Sequence, residues 1–242
     1  DHGPVHHMKK QGTATMGGIA IMLSAFIGWA VAHLRGGIAL SDQAMIMWAI
    51  CGVLSVIGFL DDFLKVRNAH NRGIFWKKKG YITFGLVVVM MTWLLLGTGV
   101  SETLSFTRFD FPGWNLSPIL WVVWTSLMVW ATTNAVNVTD GLDGLAAGSA
   151  LFGFLAFTVI AYWAFRNPDI YNLVNPLDLA VFSAAMAGAC GGFLWWNAAP
   201  ARIFMGDVGA LGIGAALGLL AVTTNTHMLL PLICALNVME AG

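Results

Sequence analysis

Runs of roughly 20 apolar residues follow one another along almost the whole sequence, and a run of that length crosses the hydrocarbon core of a bilayer as a helix. They lie near 17–33, 44–60, 81–100, 117–136, 145–165, 177–197 and 209–223; a last one begins near 228 and is cut off at Gly242. A backbone in lipid must satisfy its own hydrogen bonds, so each run is read as a helix. The expected fold class is all-α: a polytopic helical membrane protein with seven complete spans plus one partial, in one integral-membrane domain over residues 1–242. Charged residues make up only 10% of the chain, against about 25% in soluble domains. The segment 101–116 alternates polar and apolar residues, which predicts a short strand pair or an interfacial cap between spans. Cys51, Cys190 and Cys234 sit inside apolar runs without ligand spacing and are read as buried thiols. The first sixteen residues are polar and basic, so no cleavable signal peptide is expected there. The chain starts without Met and stops inside an apolar run, and is expected to be a piece of a longer protein.

Basic residues set the orientation. With strict alternation, the loops 1–16, 61–80, 137–144 and 198–208 share one side. They hold Lys9, Lys10, Lys65, Arg67, Arg72, Lys77, Lys78, Lys79 and Arg202, whereas the other side has only Arg35, Arg108 and Arg166. Nine against three places the first set in the cytoplasm. The same choice, made without the acids, puts Asp61, Asp62, Asp140, Asp143 and Asp207 together on that face. Carboxylates beside a bilayer are costly and mark function by default. Net charge is zero and identifies no partner; no nucleic-acid ligand is expected.

Each acidic motif admits two readings. Asp61 and Asp62 end a span with Lys65 within reach of both, which is either a solvated helix end with a salt bridge or a metal- and phosphate-facing pair. Adjacent helical residues point about 100° apart, so the two carboxylates should not do the same job. In "NAVNVTDGLDGLAAG", Asp140 and Asp143 are each followed by Gly, which permits tight turns and close approach of a ligand. Asn134 and Asn137 add amide oxygens, and the whole set suits a hard cation such as Mg²⁺, while helix capping by Asp143 is the plainer reading. Asp207 opens another span, as a cap or as a metal ligand, with Phe204 as an aromatic platform for a base and Asn197 ten residues before it. Near the start, Lys10 and the turn Gly12, Thr13, Thr15, Gly17, Gly18 suit an anionic ligand. The adjacent His6 and His7 are poorly spaced to share a metal and are read as surface residues. Acidic ligands, basic side chains and phosphate-friendly turns on one face suit a diphosphate substrate clamped by metal.

At these residues the sequence resembles the bacterial phospho-N-acetylmuramoyl-pentapeptide-transferases, of the polyprenyl-phosphate N-acetylhexosamine-1-phosphate transferase superfamily. "GP..H..K.GT.TMGG", "DD..K", "NAVN.TDGLDGLA" and "FMGD.G" stand in family order from Gly3 onward. The resemblance implies that this chain holds the second through eighth helices of the family and part of the ninth. It implies transfer of phospho-MurNAc-pentapeptide from UDP-MurNAc-pentapeptide to undecaprenyl phosphate, giving lipid I and UMP, with Mg²⁺ as cofactor. It implies a multi-pass protein of the bacterial cytoplasmic (inner) membrane with its site facing the cytoplasm, and suggests a homodimer. Residue by residue, Asp61 and Asp62 match the catalytic pair and Asp207 a catalytic, Mg²⁺-binding Asp. Asn137 and Asp140 match polar residues beside the metal and diphosphate. Lys10, Gly141, Leu142, Asp143, Asn197 and Phe204 match the uridine pocket, Lys65 and Lys79 the phosphate region, and Thr15 and Glu240 further cleft positions. Ala14 stands where the family usually has Pro, His6 where Ser is usual, and Ala69 where a basic residue is expected.

Three rivals remain at the level of sequence. One is a related transferase for another UDP-N-acetylhexosamine, and one is an inactive membrane scaffold that has kept the fold. The third is a secondary transporter, which places its charges near the midplane and often carries inverted repeats; here the acids cluster at one face and no repeat is apparent.

Overall fold

A computed structural model describes residues 14–67 and 76–241. Seven of its helices are long and apolar enough to cross a membrane. They are α1 (Gly18–Gly36), α2 (Asp42–Arg67), α3 (Trp76–Gly97), α4 (Pro118–Thr139), α5 (Leu145–Arg166), α7 (Pro176–Asn197) and α8 (Gly206–Thr223). The single-turn α6 (Pro168–Tyr171) joins α5 to α7. The chain is a multi-pass, all-helical membrane protein.

Two expectations needed correction at helix ends. α2 does not stop at residue 60 but continues to Arg67, because Asp61 and Lys65 pair across one turn at 2.7 Å and extend the helix beyond its apolar run. The last apolar run is not one helix. It divides into a 3₁₀ turn at His227–Leu229, α9 (Leu230–Ile233) and α10 (Ala235–Ala241). Pro231 sits in the first turn of α9, where its missing N–H costs nothing, but a continuous helix through it would lose a bond. The segment 101–116 does form a strand pair. β1 (Thr103–Leu104) and β2 (Trp114–Asn115) run antiparallel, with Thr103 opposite Asn115 and Leu104 opposite Trp114.

α8 is the central post. It packs against α1, α2, α4 and α5, and 89% of its membrane window is buried, against 22% for α3. Its sequence, GDVGALGIGAALGLLAVT, has few bulky side chains, so neighbouring backbones come close. Two glycines meet it closest: a Cβ would lie 2.0 Å from Gly209 N at Gly18 of α1, and 2.2 Å from the Asp207 carbonyl oxygen at Gly58 of α2.

At the end of the bundle opposite the acidic motifs, another buried carboxylate fastens α1 to α7. Asp178, in the first turn of α7, accepts bonds from Trp29 Nε1 (2.7 Å), Ser41 Oγ (2.6 Å) and Ser41 N (3.1 Å). His33 Nε2 lies 3.1 Å from it. Ser41 also caps α2, its Oγ accepting from Ala44 N. The hairpin closes the same end: Met228 N donates to the Ser105 carbonyl and Trp121 Nε1 to that of Ser101.

Candidate active site

Four spans bring the expected polar residues to one end of the bundle. Asp61, Asp62 and Lys65 come from the last turns of α2, and Lys79 from the first turn of α3. Asn137 lies in the last turn of α4, Asp140 directly follows that helix, and Asp207 lies in the first turn of α8. Asp61, Asp62 and Asp207 are buried. Bare carboxylates there are untenable without counter-charge, and two lysines supply it. Lys65 Nζ lies 2.7 Å from Asp61 Oδ2 and 2.8 Å from Asp207 Oδ2. Lys79 Nζ lies 3.2 Å from Asp61 Oδ2 and makes a short bond to the same Asp207 oxygen. Two ammonium groups thus bridge two carboxylates contributed by different helices. The other Asp207 oxygen, Oδ1, accepts from Asn137 Nδ2 at 3.1 Å.

Asp62 points elsewhere, as the 100° offset requires. Its Oδ2 accepts from Val208 N at 3.3 Å, so α2 caps the N-terminus of α8. Asp140 Oδ2 accepts from Gly206 N at 3.1 Å. Burial pushes the Asp140 carboxyl up to about 7, the Asp207 and Asp62 charges push the same way, and the Gly206 N–H opposes them.

The loops beside this cluster are tied by side chains. Asn197, buried at the end of α7, accepts from Gly144 N at 3.1 Å and donates to the Ile203 carbonyl at 2.9 Å. Its amide joins the 140–144 turn to the 198–205 loop. Asp143 adds a second tie by accepting from Ala201 N at 3.1 Å. It does not cap α5; Gly144 holds that position at φ 77° with no side-chain cap. Phe204 is held on the other side: its N–H donates to the Ala14 carbonyl at 2.8 Å and its carbonyl accepts from Gly17 N at 2.9 Å. The described part of the Gly/Thr-rich turn, from Ala14 to Gly18, therefore pairs with the loop that carries Phe204.

A family model described as glycosyl transferase family 4 matches residues 43–225. The chain belongs to that family. Among curated relatives, the phospho-N-acetylmuramoyl-pentapeptide-transferase of Rhodococcus opacus is 41% identical over 257 residues, and that of Mycobacterium bovis is 40% identical over 257. The protein of the same name from Streptomyces griseus is 38% identical over 255 residues. Each alignment covers 99% of this chain and 71% of the relative. Membership makes the chain a phospho-sugar transferase.

The remaining expected residues are placed unevenly. Leu142 is exposed at the tip of the turn between α4 and α5, next to exposed Gly141. Thr15 is exposed beside the Ala14–Ile203 pairing. Glu240 is exposed on α10, whose Asn237 donates to Thr139 at the end of α4. Lys10, His6, His7, Gly12, Thr13 and Ala69 lie outside the described residues. Sequence reasoning missed Gly58. The available signal was a glycine one helical turn before an Asp pair, on the face that must meet another helix.

Among the described residues no three carboxylate, imidazole or thiol ligands already converge on one point. Mg²⁺ does not require this: it is commonly held by one or two carboxylates together with substrate phosphates and water. Asp207 and Asn137, already in contact through Asp207 Oδ1, fit such a half-shell.

Proposed function

We propose that the chain transfers phospho-N-acetylmuramoyl-pentapeptide from its UDP carrier to undecaprenyl phosphate, giving lipid I and UMP. The observation that carries this reading is the convergence of Asp61, Asp207, Lys65, Lys79 and Asn137 beside the loop that presents Phe204. The names of the relatives supply the substrate, and the near-complete coverage of this chain supports carrying it over.

In this reading, an oxygen of the lipid phosphate attacks the sugar-bearing phosphorus of the UDP-sugar. A new P–O bond forms, the bond to the bridging oxygen breaks, and UMP leaves with that oxygen. A phosphate monoester has its second pKa near 6 and is largely a dianion at neutral pH. Charge neutralisation and positioning therefore matter more than a strong base. Lys65 and Lys79 carry fixed positive charge to the diphosphate. Asp61 or Asp62 orients the attacking phosphate or accepts a residual proton. Asp207 and Asn137 would hold Mg²⁺, which supplies further neutralisation of the diphosphate. Phe204 stacks on uracil, with Gly141, Leu142 and Asp143 beside it, and Asn197 keeps that pocket's two loops together. Lys10, Thr15 and Glu240 are assigned to the cleft walls. Nine of twelve Lys and Arg on the loops of this face support a cytoplasmic site in the bacterial inner membrane.

The test is transfer by purified protein with labelled UDP-MurNAc-pentapeptide, and with UDP-N-acetylglucosamine as the competing donor. Asp207→Asn is expected to lower turnover by at least about 10²-fold. Near-normal turnover in that variant rejects the metal assignment, and preference for the second donor rejects the substrate.

A further inference from the structure

Two adjoining cavities flank α7 and take no part in the proposed reaction. One, about 620 Å³, is a groove along the seam between α1 and α7, lined among others by Ser24, Gly28, Gly188, Gly192 and Trp196. The other, about 590 Å³, lies at the end of α7 nearest the acidic cluster, lined among others by Leu194, Trp195, Trp196, Pro200 and Arg202. Trp196 lines both and is the one lining residue that the apolar groove shares with the cavity holding Arg202.

The glycines of this groove differ from those around α8. At Gly58 an added Cβ would strike backbone, whereas at Gly188 and Gly192 it would meet nothing within 4 Å. At Gly28 it would meet only Ala185 Cβ, at 3.9 Å. Helix–helix contact therefore does not account for Gly188 and Gly192; their missing side chains leave the groove open. The polar end is equally specific. Arg202 stands 5.8 Å from the centre of the Trp196 ring, and among the described residues no carboxylate pairs with it. Trp195 beside it is 82% exposed. The α7 span ends at Asn197, so both tryptophans and Arg202 lie at the membrane–water boundary, where Trp is favoured.

A guanidinium matched to phosphate, continuing into a slot for a hydrocarbon chain, has the two-part chemistry of a phospholipid. We propose that the seam between α1 and α7 binds an anionic glycerophospholipid, with its phosphate on Arg202 and one acyl chain along Gly28, Gly188 and Gly192. A zwitterionic headgroup would bring a second cation beside Arg202, so the site favours a net negative lipid.

The experiment uses purified protein in detergent, titrated separately with phosphatidylglycerol, phosphatidylcholine and inorganic phosphate, with retained adducts counted by native mass spectrometry. Phosphatidylglycerol is expected to bind about five- to tenfold more tightly than phosphatidylcholine, with inorganic phosphate weaker than either. Arg202→Gln should erase that preference. A double variant, Gly188→Leu with Gly192→Leu, fills the open groove and should lose phosphatidylglycerol binding while keeping its thermal midpoint and size-exclusion volume. Equal binding of the two lipids overturns the proposal, as does a preference that survives Arg202→Gln or binding that survives the filled groove. Phosphate alone binding as tightly as lipid overturns the acyl-chain part. A change of oligomeric state in the filled variant also overturns it, because a second copy would then occupy the seam. None of these readouts is enzymatic, so the result stands apart from the proposed function.

Discussion

Gly58→Ala tests whether the backbone contact between α2 and α8 sets the spacing of the acidic cluster. The added methyl carbon would lie 2.2 Å from the Asp207 carbonyl oxygen, 2.4 Å from its carbonyl carbon and 2.6 Å from Val208 N. All three are backbone atoms, so no side chain can rotate away. Ordinary contact begins at 3.4 Å, and the two helices must part by more than 1 Å to reach it. Lys65 bridges Asp61 on α2 and Asp207 on α8 at 2.7 and 2.8 Å, and cannot keep both bonds across that gap. Overpacking of this kind costs about 1–3 kcal/mol, and a misplacement of about 1 Å costs about 10²-fold in rate. The assay is kcat and KM for UDP-MurNAc-pentapeptide alongside the apparent Tm. We expect kcat to fall about 10²-fold while KM for the donor moves much less, because the Phe204 loop is held from the α1 and α7 sides. Gly52→Ala, on the same helix but with nothing within 4 Å, should change neither quantity. A Gly58→Ala protein with unchanged kcat, or a Gly52→Ala protein equally impaired, refutes the reasoning.

Asp178→Ala should lower stability by about 3–5 kcal/mol, because it strands the buried donors of Trp29 and Ser41 beside His33; Asp178→Asn should cost less, and thermal unfolding in detergent reads both. His227 is buried and burial lowers its pKa from 6.5 to about 4. Both folded and unfolded forms are neutral above 6.5, so stability is lost as pH falls from 6.5 towards 4, by up to about 3 kcal/mol. Asp140, raised to about 7, acts in the opposite direction below neutral pH, so the measurement is the difference in Tm between His227→Gln and the unaltered protein, which should shrink as pH falls. Asn197→Ala leaves Gly144 N–H and the Ile203 carbonyl unpartnered, at about 1–3 kcal/mol, and should raise KM for the UDP-sugar more than it lowers kcat. A change confined to kcat would count against its place between the loops.

Much of the bundle was legible because apolar runs record the solvent directly. The runs near 145–165 and 177–197 agree with α5 and α7 to within a residue at each end. The ends of α2 and of the last apolar run depart from the limits of their apolar runs for opposite reasons. Asp61 and Lys65 are polar yet continue the helix through the pairing their spacing allowed, whereas Pro231 is apolar yet interrupts one. The gathering of Asp61, Asp62, Asp140, Asp143 and Asp207 at one end followed from counting spans. Their division of labour did not. That Asp62 turns to Val208 N, that Lys65 and Lys79 meet one oxygen of Asp207, and that Asn197 joins two loops depend on helix rotation and on distances between segments far apart in the chain. Asp178 resembled an ordinary first-turn acid after Pro176, and nothing local announced that Trp29 and Ser41 would close on it.

The burial of α8 on every side also bears on how the protein is made. A helix so rich in Gly and Ala offers lipid little side-chain bulk, and most of its favourable packing comes from other helices. Those partners, α1, α2, α4 and α5, all precede it in the chain, and synthesis proceeds from the N-terminus. The slot is therefore lined before its occupant emerges from the ribosome. Asp207 enters the membrane boundary only when Asp61, Lys65, Lys79 and Asn137 are already there to receive its charge. Assembly of the bundle and completion of the acidic cluster are then a single late event, and a nascent chain halted before Gly206 would hold a hollow scaffold with two lysines facing one carboxylate fewer.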